Sequence, residues 1–578
     1  MGADQQRLGA GLRQSGRQTD AEAKVTATTP GGGAAGSPPA QPAAGGSEPA
    51  EAGDTAPAAA AAGDNAPATP ARWRWLTLPA VLLRRHWLMS LLLLGGLALR
   101  VVALAAYHPA LIYVDSLKYL YSASPGSEPM GYAALLHAVL TGGDLGTVVV
   151  IQHLAGLAMG VTVYAVLVRR GAGRWLAAIA AAPVLLDAYQ VQMEQMIMPD
   201  VWFEVLILAA LAVMLWRPSV TLPLAAVAGV LLGASATVKQ LGVVLVLPAV
   251  LYLLIAGAGS RRSLAAAAAL AGAFVLPVVG YASYSQAHTG HFWLAHKQSL
   301  TGRLAAAADC ATLSIPADVR ALCPPPWQQR LGPDYLNHER SSLITAALPA
   351  GVARGRLIGQ LNAAVESQQP LRVAGAIVRD SVRLFALTRD DTPGVTPISR
   401  WQFQTHYPAF PPWVSVGPGH VIVVGVQRKL FGRFRLSVLG SGYGGAAQVD
   451  TRLAAFLRSY QLGGGYTPGP LLALCVLAGL AGSLLVLTGR GGASRQLALA
   501  CLLFTATAAA VLLPPDVYEY SWRYQLPAVV TLVPAGVLGI AALARRWQER
   551  RAAASPGGPA GSADPPVSPA DPAPAAAG

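Results

Sequence analysis

The sequence predicts an all-α polytopic membrane protein of about ten (10–12) transmembrane helices, and three observations carry that expectation. Hydrophobic residues make up 53% of the 578 and charged residues only 12%, where a soluble domain carries about a quarter. The apolar residues gather in blocks close to the roughly 20 residues a helix needs to cross a bilayer. Lys and Arg collect in alternate connecting segments, the bias that sets cytoplasmic loops.

In order, the blocks are 86–107, 145–168, 174–189, 200–216, 219–237, 241–258, 264–284, 467–488, 496–514 and 525–544. The third and fourth are short, which suits tilted or partly re-entrant segments. Arg84 and Arg85 precede the first block, Arg169, Arg170 and Arg174 lie between the second and third, and Arg217 follows the fourth. Arg261 and Arg262, then Arg490 and Arg495, then Arg545, Arg546, Arg550 and Arg551 continue the series on the same side. Both termini are therefore expected in the cytoplasm, with Asp115, Glu194 and Asp200 in outward loops. The net charge of +14 follows from this bias toward an anionic inner leaflet, so no nucleic-acid partner is expected.

Residues 1–71 and 552–578 are Ala, Gly, Pro and Ser with few large apolar side chains. Such segments cannot bury a core and read as disordered cytoplasmic tails. The N-terminus lacks a basic region leading directly into an apolar stretch, so the first span is expected to act as the insertion signal. Two transmembrane modules, 84–285 and 466–546, then flank an extracytoplasmic loop domain of mixed structure at 286–465, long enough to fold. It holds Cys310 and Cys323, which lie outside the apolar blocks and are disulfide candidates in an oxidising compartment. Cys475 and Cys501 read as small apolar residues within spans. A stretch near 371–387 has helical apolar spacing interrupted by Arg372, Arg379 and Arg383, and suits a helix on the membrane surface or one packed within the domain. The run 133–140 is too short to cross and reads as interfacial, with Tyr107, Tyr113, Tyr119, Tyr121 and Tyr132 as an aromatic belt.

Chemistry is concentrated in the outward loops. Asp115 stands in Tyr113-Val114-Asp115-Ser116-Leu117-Lys118-Tyr119-Leu120, just past the first span. A carboxylate at the mouth of a bundle is costly to desolvate. It either caps a helix starting at Ser116 or serves as a general base reachable by a substrate hydroxyl. A second acidic group, Glu194, Asp200 and Glu204, surrounds Pro199, the expected first residue of the fourth helix. Asp200 and Glu204 are four apart and share a face. The helix dipole accounts for an acid at Asp200 without any function, but not for the deeper Glu204, and two like charges at this spacing call for a nearby cation. Lys239 and Arg523 are basic residues on the outer side, against the prevailing bias. They suit phosphate, Arg523 bidentately, while snorkelling to headgroups accounts equally well for Lys239. Arg100, inside the first block, suits snorkelling or internal pairing. His288, His291 and His296 fit no standard zinc spacing. No Walker or Gly-rich dinucleotide motif is present, which argues against a self-powered pump.

An Asp just after the first span followed by the Gly131-Tyr132 segment, Met198-Pro199-Asp200 after the third, and Arg523-Tyr524-Gln525-Leu526-Pro527 opening the last resemble the membrane-embedded GT-C glycosyltransferases. These include the protein O-mannosyltransferases and the lipid A aminoarabinose transferases. The resemblance spans roughly 84–290 and 467–545, and departs where Ser116 follows Asp115 instead of a second acid. It implies a GT-C arrangement of spans and a polyprenyl-phosphate-linked sugar donor whose sugar passes, with inversion, to an extracytoplasmic protein, glycan or lipid acceptor. On that reading Asp115, Glu194 and Asp200 form the catalytic group, with Asp115 as base. Lys239, Arg523, Tyr524, Glu204 and Tyr132 would bind substrate. A divalent cation held by Glu194 or Asp200 is the one cofactor left open. The competing class is a transporter or lipid flippase, with the acids as proton or cation sites. The Ala-, Gly-, Pro- and Arg-heavy composition points to a bacterial plasma-membrane protein of the cell envelope.

Overall fold

The computed structural model describes residues 84–554, apart from 114, 122–124, 126–127, 296–299, 340, 347–352, 408–413, 418–419, 424–434, 437–446 and 489–491. Both expected tails lie almost wholly outside these residues, except that the last helix continues through Ala554, past the predicted boundary at 552.

Each of the ten apolar blocks is helical, but the expected count of about ten spans is not what the structure gives. Among the described residues, six helices are long and apolar enough to cross a membrane: α1 (Trp87–Ala106), α4 (Leu145–Arg169), α10 (Arg261–Thr289), α17 (Gly469–Thr488), α18 (Ala493–Tyr518) and the segment Trp522–Ala553, which holds all but the last residue of α19 (Ala528–Ala554). A seventh is α5 (Arg174–Leu186) taken with α6 (Ala188–Gln195), if that pair, bent by 47°, forms one broken span. The bend has a local cause. Pro183 removes a backbone donor from α5, and the Asp187 carboxylate accepts from the Tyr189 N–H to start α6 afresh. The remaining blocks give α7 (Asp200–Leu215), α8 (Leu222–Val238) and, after a 3₁₀ turn, α9 (Val246–Ala256). These are shorter than a bilayer requires when upright.

Between α1 and α4 lie α2 (Ser116–Tyr121) and α3 (Gly131–Leu140). Between α10 and α17 lie α11 (Thr301–Ala307), α12 (Ala317–Arg320), α13 (Pro326–His338), α14 (Arg354–Gln368), α15 (Pro370–Val382) and α16 (Thr451–Leu462). Leu304, Leu313, Leu336, Leu361 and Val365 form a small second core there. Cys310 and Cys323 border it, joined in a disulfide. Later residues of the same segment, Ile398, Trp401, Phe403 and Leu457, belong instead to the core of the helix bundle. On α15, Leu371, Val378 and Val382 stay exposed. Strands are few. The strand Tyr107–His108 (β1) pairs antiparallel with Gln448–Val449 (β5), and Val414–Gly417 (β2), His420–Val423 (β3) and Arg435–Leu436 (β4) form a small antiparallel sheet.

Bundle packing relies on small residues, as expected where lipid removes the hydrophobic drive between helices. Gly229 and Gly233, one turn apart on α8, face α10 so closely that an added Cβ would lie 2.2 and 2.3 Å from the Leu270 and Phe274 carbonyl oxygens. Some of the connecting segments that carry the Arg residues touch in pairs. Arg174 donates to the Arg85 carbonyl (2.8 Å), Arg170 to that of Arg217 (2.7 Å), and Ser494 to the Glu549 carboxylate (2.6 Å).

Inside the bundle, Arg100 is internally paired. Its Nη2 donates to Glu194 Oε1 at 2.7 Å, its Nη1 donates to the Gly96 and Leu185 carbonyls, and His153 Nδ1 lies 3.0 Å from Glu194 Oε2. All three side chains are at most 3% exposed. The pair ties α1 to α4 and α6, and losing one partner would strand a charge in an apolar interior. Arg100→Leu is expected to destabilise the protein by about 3–5 kcal/mol, measured by denaturation in micelles. The double variant with Glu194→Gln should recover most of that loss.

Candidate functional site

The segment after α1 and the segment before α7 are stitched together by backbone. Leu111 N–H donates to the Gln195 carbonyl (2.9 Å), and Ile197 N–H donates to that of Leu111 (3.1 Å). Gln152 of α4 braces the second segment by donating to the Glu194 and Met196 carbonyls, both at 2.8 Å. Tyr132 lies beneath this brace, its hydroxyl donating to Gln152 and its ring packed edge-on to Tyr119. These contacts bring Asp115, at the start of α2, beside Asp200, in the first turn of α7.

Arg523 joins the two acids. It sits on the short 3₁₀ turn Trp522–Gln525 that opens the last span. Its Nη1 donates to Asp115 Oδ2 at 3.0 Å, and its Nε faces both Asp200 oxygens at 3.1 and 3.2 Å. Lys239, where α8 ends in extended backbone, places its Nζ 2.8 Å from Asp200 Oδ1. Lys118 places its Nζ 3.0 Å from Asp115 Oδ1. The result is one continuous chain of charges, Lys118–Asp115–Arg523–Asp200–Lys239, drawn from four parts of the sequence. Three cations against two carboxylates leave one positive charge in excess. Aromatic rings close over it: Arg523 lies 5.2 Å from the Trp401 ring centre and 5.6 Å from that of Tyr524, and Lys239 lies 5.4 Å from Tyr524 and 5.6 Å from Phe203.

The chain runs from buried to open. Asp200 and Arg523 are 3% and 6% exposed, whereas Asp115 and Lys118 are 27% and 32% exposed. Burial by itself would raise the Asp115 carboxyl, but the Lys118 ammonium and the Arg523 guanidinium outweigh it and hold that carboxyl well below the usual carboxylate range. Burial raises the neighbouring Glu128 carboxyl. Among the described residues, the Asp115 carboxylate accepts from these two side chains and not from the α2 backbone.

Of the predicted site residues, Asp115, Asp200, Lys239, Arg523 and Tyr524 come together. Glu194 does not join them: it is fully buried and committed to Arg100 and His153. Glu204, one turn below Asp200, is buried and accepts from Gln190 at 2.9 Å, its other oxygen having no hydrogen-bond partner among the described residues. The cation called for by the pair Asp200 and Glu204 is thus bound at Asp200 alone. His288 and His291 pack on Tyr284 and Trp293, and His296 lies outside the described residues.

Sequence reasoning missed Lys118, Trp401 and a second polar group beside the charge chain. In that group the Asp334 carboxylate meets His338 (3.2 Å) and Arg400 (3.0 Å), and Glu519 approaches both Asp334 and His338. Burial, with Asp334 nearby, raises the Glu519 carboxyl to about 7. Lys118 stands three residues after Asp115, in the first turn of the short helix that Asp115 precedes, and that spacing was its signal. Asp334 is far from Glu519 in sequence, and no local pattern announces their meeting.

No protein-family model matches the chain, and no curated protein matches it. Among solved structures it is similar to the archaeal oligosaccharyltransferase AglB from Archaeoglobus fulgidus, determined in complex with an inhibitory peptide and a dolichol-phosphate, with 11% identity and a TM-score of 0.34. The match covers 82% of this chain and 52% of that one, so the chain spans about half of the AglB chain.

Because Asp115 titrates lower in the folded protein than in the unfolded chain, its pairs stabilise the fold above the unfolded value near ~3.9 and fade as pH falls toward the folded one. The stability difference between wild type and Asp115→Asn is expected to stay flat from about pH 8 to 5 and to shrink below roughly pH 4. Thermal unfolding in micelles across that range measures it.

Proposed function

We propose that the protein is an integral membrane glycosyltransferase that moves a sugar from a polyprenyl-phosphate donor to a hydroxyl-bearing acceptor outside the cytoplasm. The observation that carries this reading is the chain Lys118–Asp115–Arg523–Asp200–Lys239, with its surplus positive charge beside a partly exposed carboxylate. A phosphate ester matches that surplus, and Arg and Lys are its natural partners. The apolar bundle beside the chain suits an isoprenoid tail.

The acceptor oxygen attacks the anomeric carbon while the bond from that carbon to the phosphate oxygen breaks. The electron pair leaves with the lipid phosphate, and the acceptor proton passes to Asp115. One displacement inverts the anomeric centre. Arg523 and Lys239 bind the phosphate as its charge grows, an electrostatic contribution often among the largest in catalysis. Asp200 fixes both cations in place through its two oxygens. Held by Lys118 and Arg523, Asp115 is a weak base in the free protein. A donor phosphate that draws those cations to itself releases the carboxylate when its basicity is needed, which couples proton transfer to donor binding. Glu194 serves this site by holding the segment that leads into Asp200.

The bent pair α5 and α6 favours a second reading, transport, because broken helices commonly line substrate sites in carriers. At this break, however, Asp187 is taken up by the Thr467 N–H (2.7 Å) and by Arg389 (3.6 Å).

Purified protein in lipid, offered radiolabelled polyprenyl-phosphate sugars and an envelope extract, is expected to transfer label. Asp115→Asn should lower transfer by about 10³-fold or more while the protein stays folded, within the range seen when an essential proton acceptor is lost. Undiminished transfer by that variant would remove Asp115 from the mechanism. No turnover of any donor, alongside flux into liposomes, would favour transport.

A further inference from the structure

We propose that Asp334, His338 and Glu519 form a divalent-metal site that clamps the loop domain to the helix bundle beside the charge chain. Each of the three offers one ligand atom, and these atoms lie within 4.8 Å of one another. Asp334 and His338 are four apart on α13, so both project from the same face. That part of α13 starts afresh at Pro333, after Gly332 breaks the helix at φ 85°. Glu519 comes from the extended residue that ends α18, four positions before Arg523.

An independent feature points to the missing ligand. Glu519 is 6% exposed, and its buried Oε2 has no hydrogen-bond partner among the described residues. A buried carboxylate oxygen without a donor is costly. The groups gathered near it are the Asp334 carboxylate, the His338 imidazole and, acting at longer range, the Arg400 guanidinium; a cation shared by the three ligands supplies the direct partner that oxygen lacks. Two carboxylates and one imidazole form a mixed oxygen and nitrogen donor set suited to Mn²⁺ or Zn²⁺. Arg400, whose Nη1 lies 3.0 Å from Asp334 Oδ2, then acts on the outer oxygen of a ligating carboxylate, the supporting contact such ligands usually have. The His338 side chain is 59% exposed, which gives the ion a path from solvent. Three protein ligands leave coordination positions open on the metal.

The test uses the full-length, untagged protein in micelles, stripped with chelator and titrated separately with Mn²⁺ and Zn²⁺. Bound metal is counted by elemental analysis after gel filtration, and Mn²⁺ is also followed by its paramagnetic resonance. The expected result is one tightly bound ion per chain, weakened at least tenfold in His338→Gln and in Glu519→Gln. Binding should also weaken as pH falls, because protons compete for the ligands. His338→Gln alters a largely exposed side chain and keeps the fold, which unchanged thermal unfolding of the stripped protein will verify. A folded wild type that retains neither ion, or variants that bind as tightly as wild type, overturns the site. Because the count is made without any sugar donor, it is independent of whether the protein transfers sugar.

Discussion

The Arg523 guanidinium touches Asp115 through Nη1 and Asp200 through Nε, while it is itself 6% exposed. A charge so deeply placed persists only when it is paired on more than one side. Asp115 sits on the segment after α1, Asp200 at the start of α7 and Arg523 at the start of the last span, so this single side chain fixes where three distant segments end relative to one another. Lys239 completes the arrangement from α8 by sharing Asp200. With Lys118 on the far side of Asp115, the charges alternate along the chain and finish positive at both ends. The aromatic faces of Trp401 and Tyr524 cover the guanidinium without neutralising it.

A second buried pair, Arg100 with Glu194, lies deeper and does different work. Its hydrogen bonds run to backbone carbonyls of α1 and α5 and to His153 of α4. It holds the segment leading into α7, which in turn presents Asp200. The two networks are joined through Gln152 and the backbone ladder between Leu111 and the segment 195–197. The charge chain thus rests on an ion pair buried from solvent. The acids near 194–204, so close in sequence, part company: Glu194 pairs with Arg100 inside the bundle, and Asp200 pairs with Arg523 and Lys239 in the charge chain. Helical geometry and depth assign them, not residue type.

The helices were legible because each depends on local composition. Apolar blocks of the right length read as helices, and every block is largely helical, though that at 174–189 divides into two helices and that at 241–258 opens with a 3₁₀ turn. Their lengths were less legible. The blocks at 174–189, 200–216 and 219–237 are as apolar as true spans, but Pro183 and Asp187 break the first, and the other two end after 16 and 17 helical residues. Hydropathy records how apolar a segment is. It does not record where capping and proline restart a helix, so of the ten expected spans six or seven, among the described residues, are helices of spanning length.

By itself the sequence determined the apolar blocks, the gathering of Arg in alternate connecting segments, and the charged residues Asp115, Asp200, Lys239 and Arg523 at the ends of those blocks. Each of these is a property of residues within about twenty positions of one another. Only the tertiary structure decided that Arg523 would bridge Asp115 and Asp200, that Glu194 would turn inward to Arg100, and that Asp334 and His338 would meet Glu519. Those pairings join residues separated by 408, 323 and 94 positions in the first three cases. Charge complementarity permits many partners for each such residue. The close approach of small-residue helix faces and the ladder between the two acidic segments select which one is within reach.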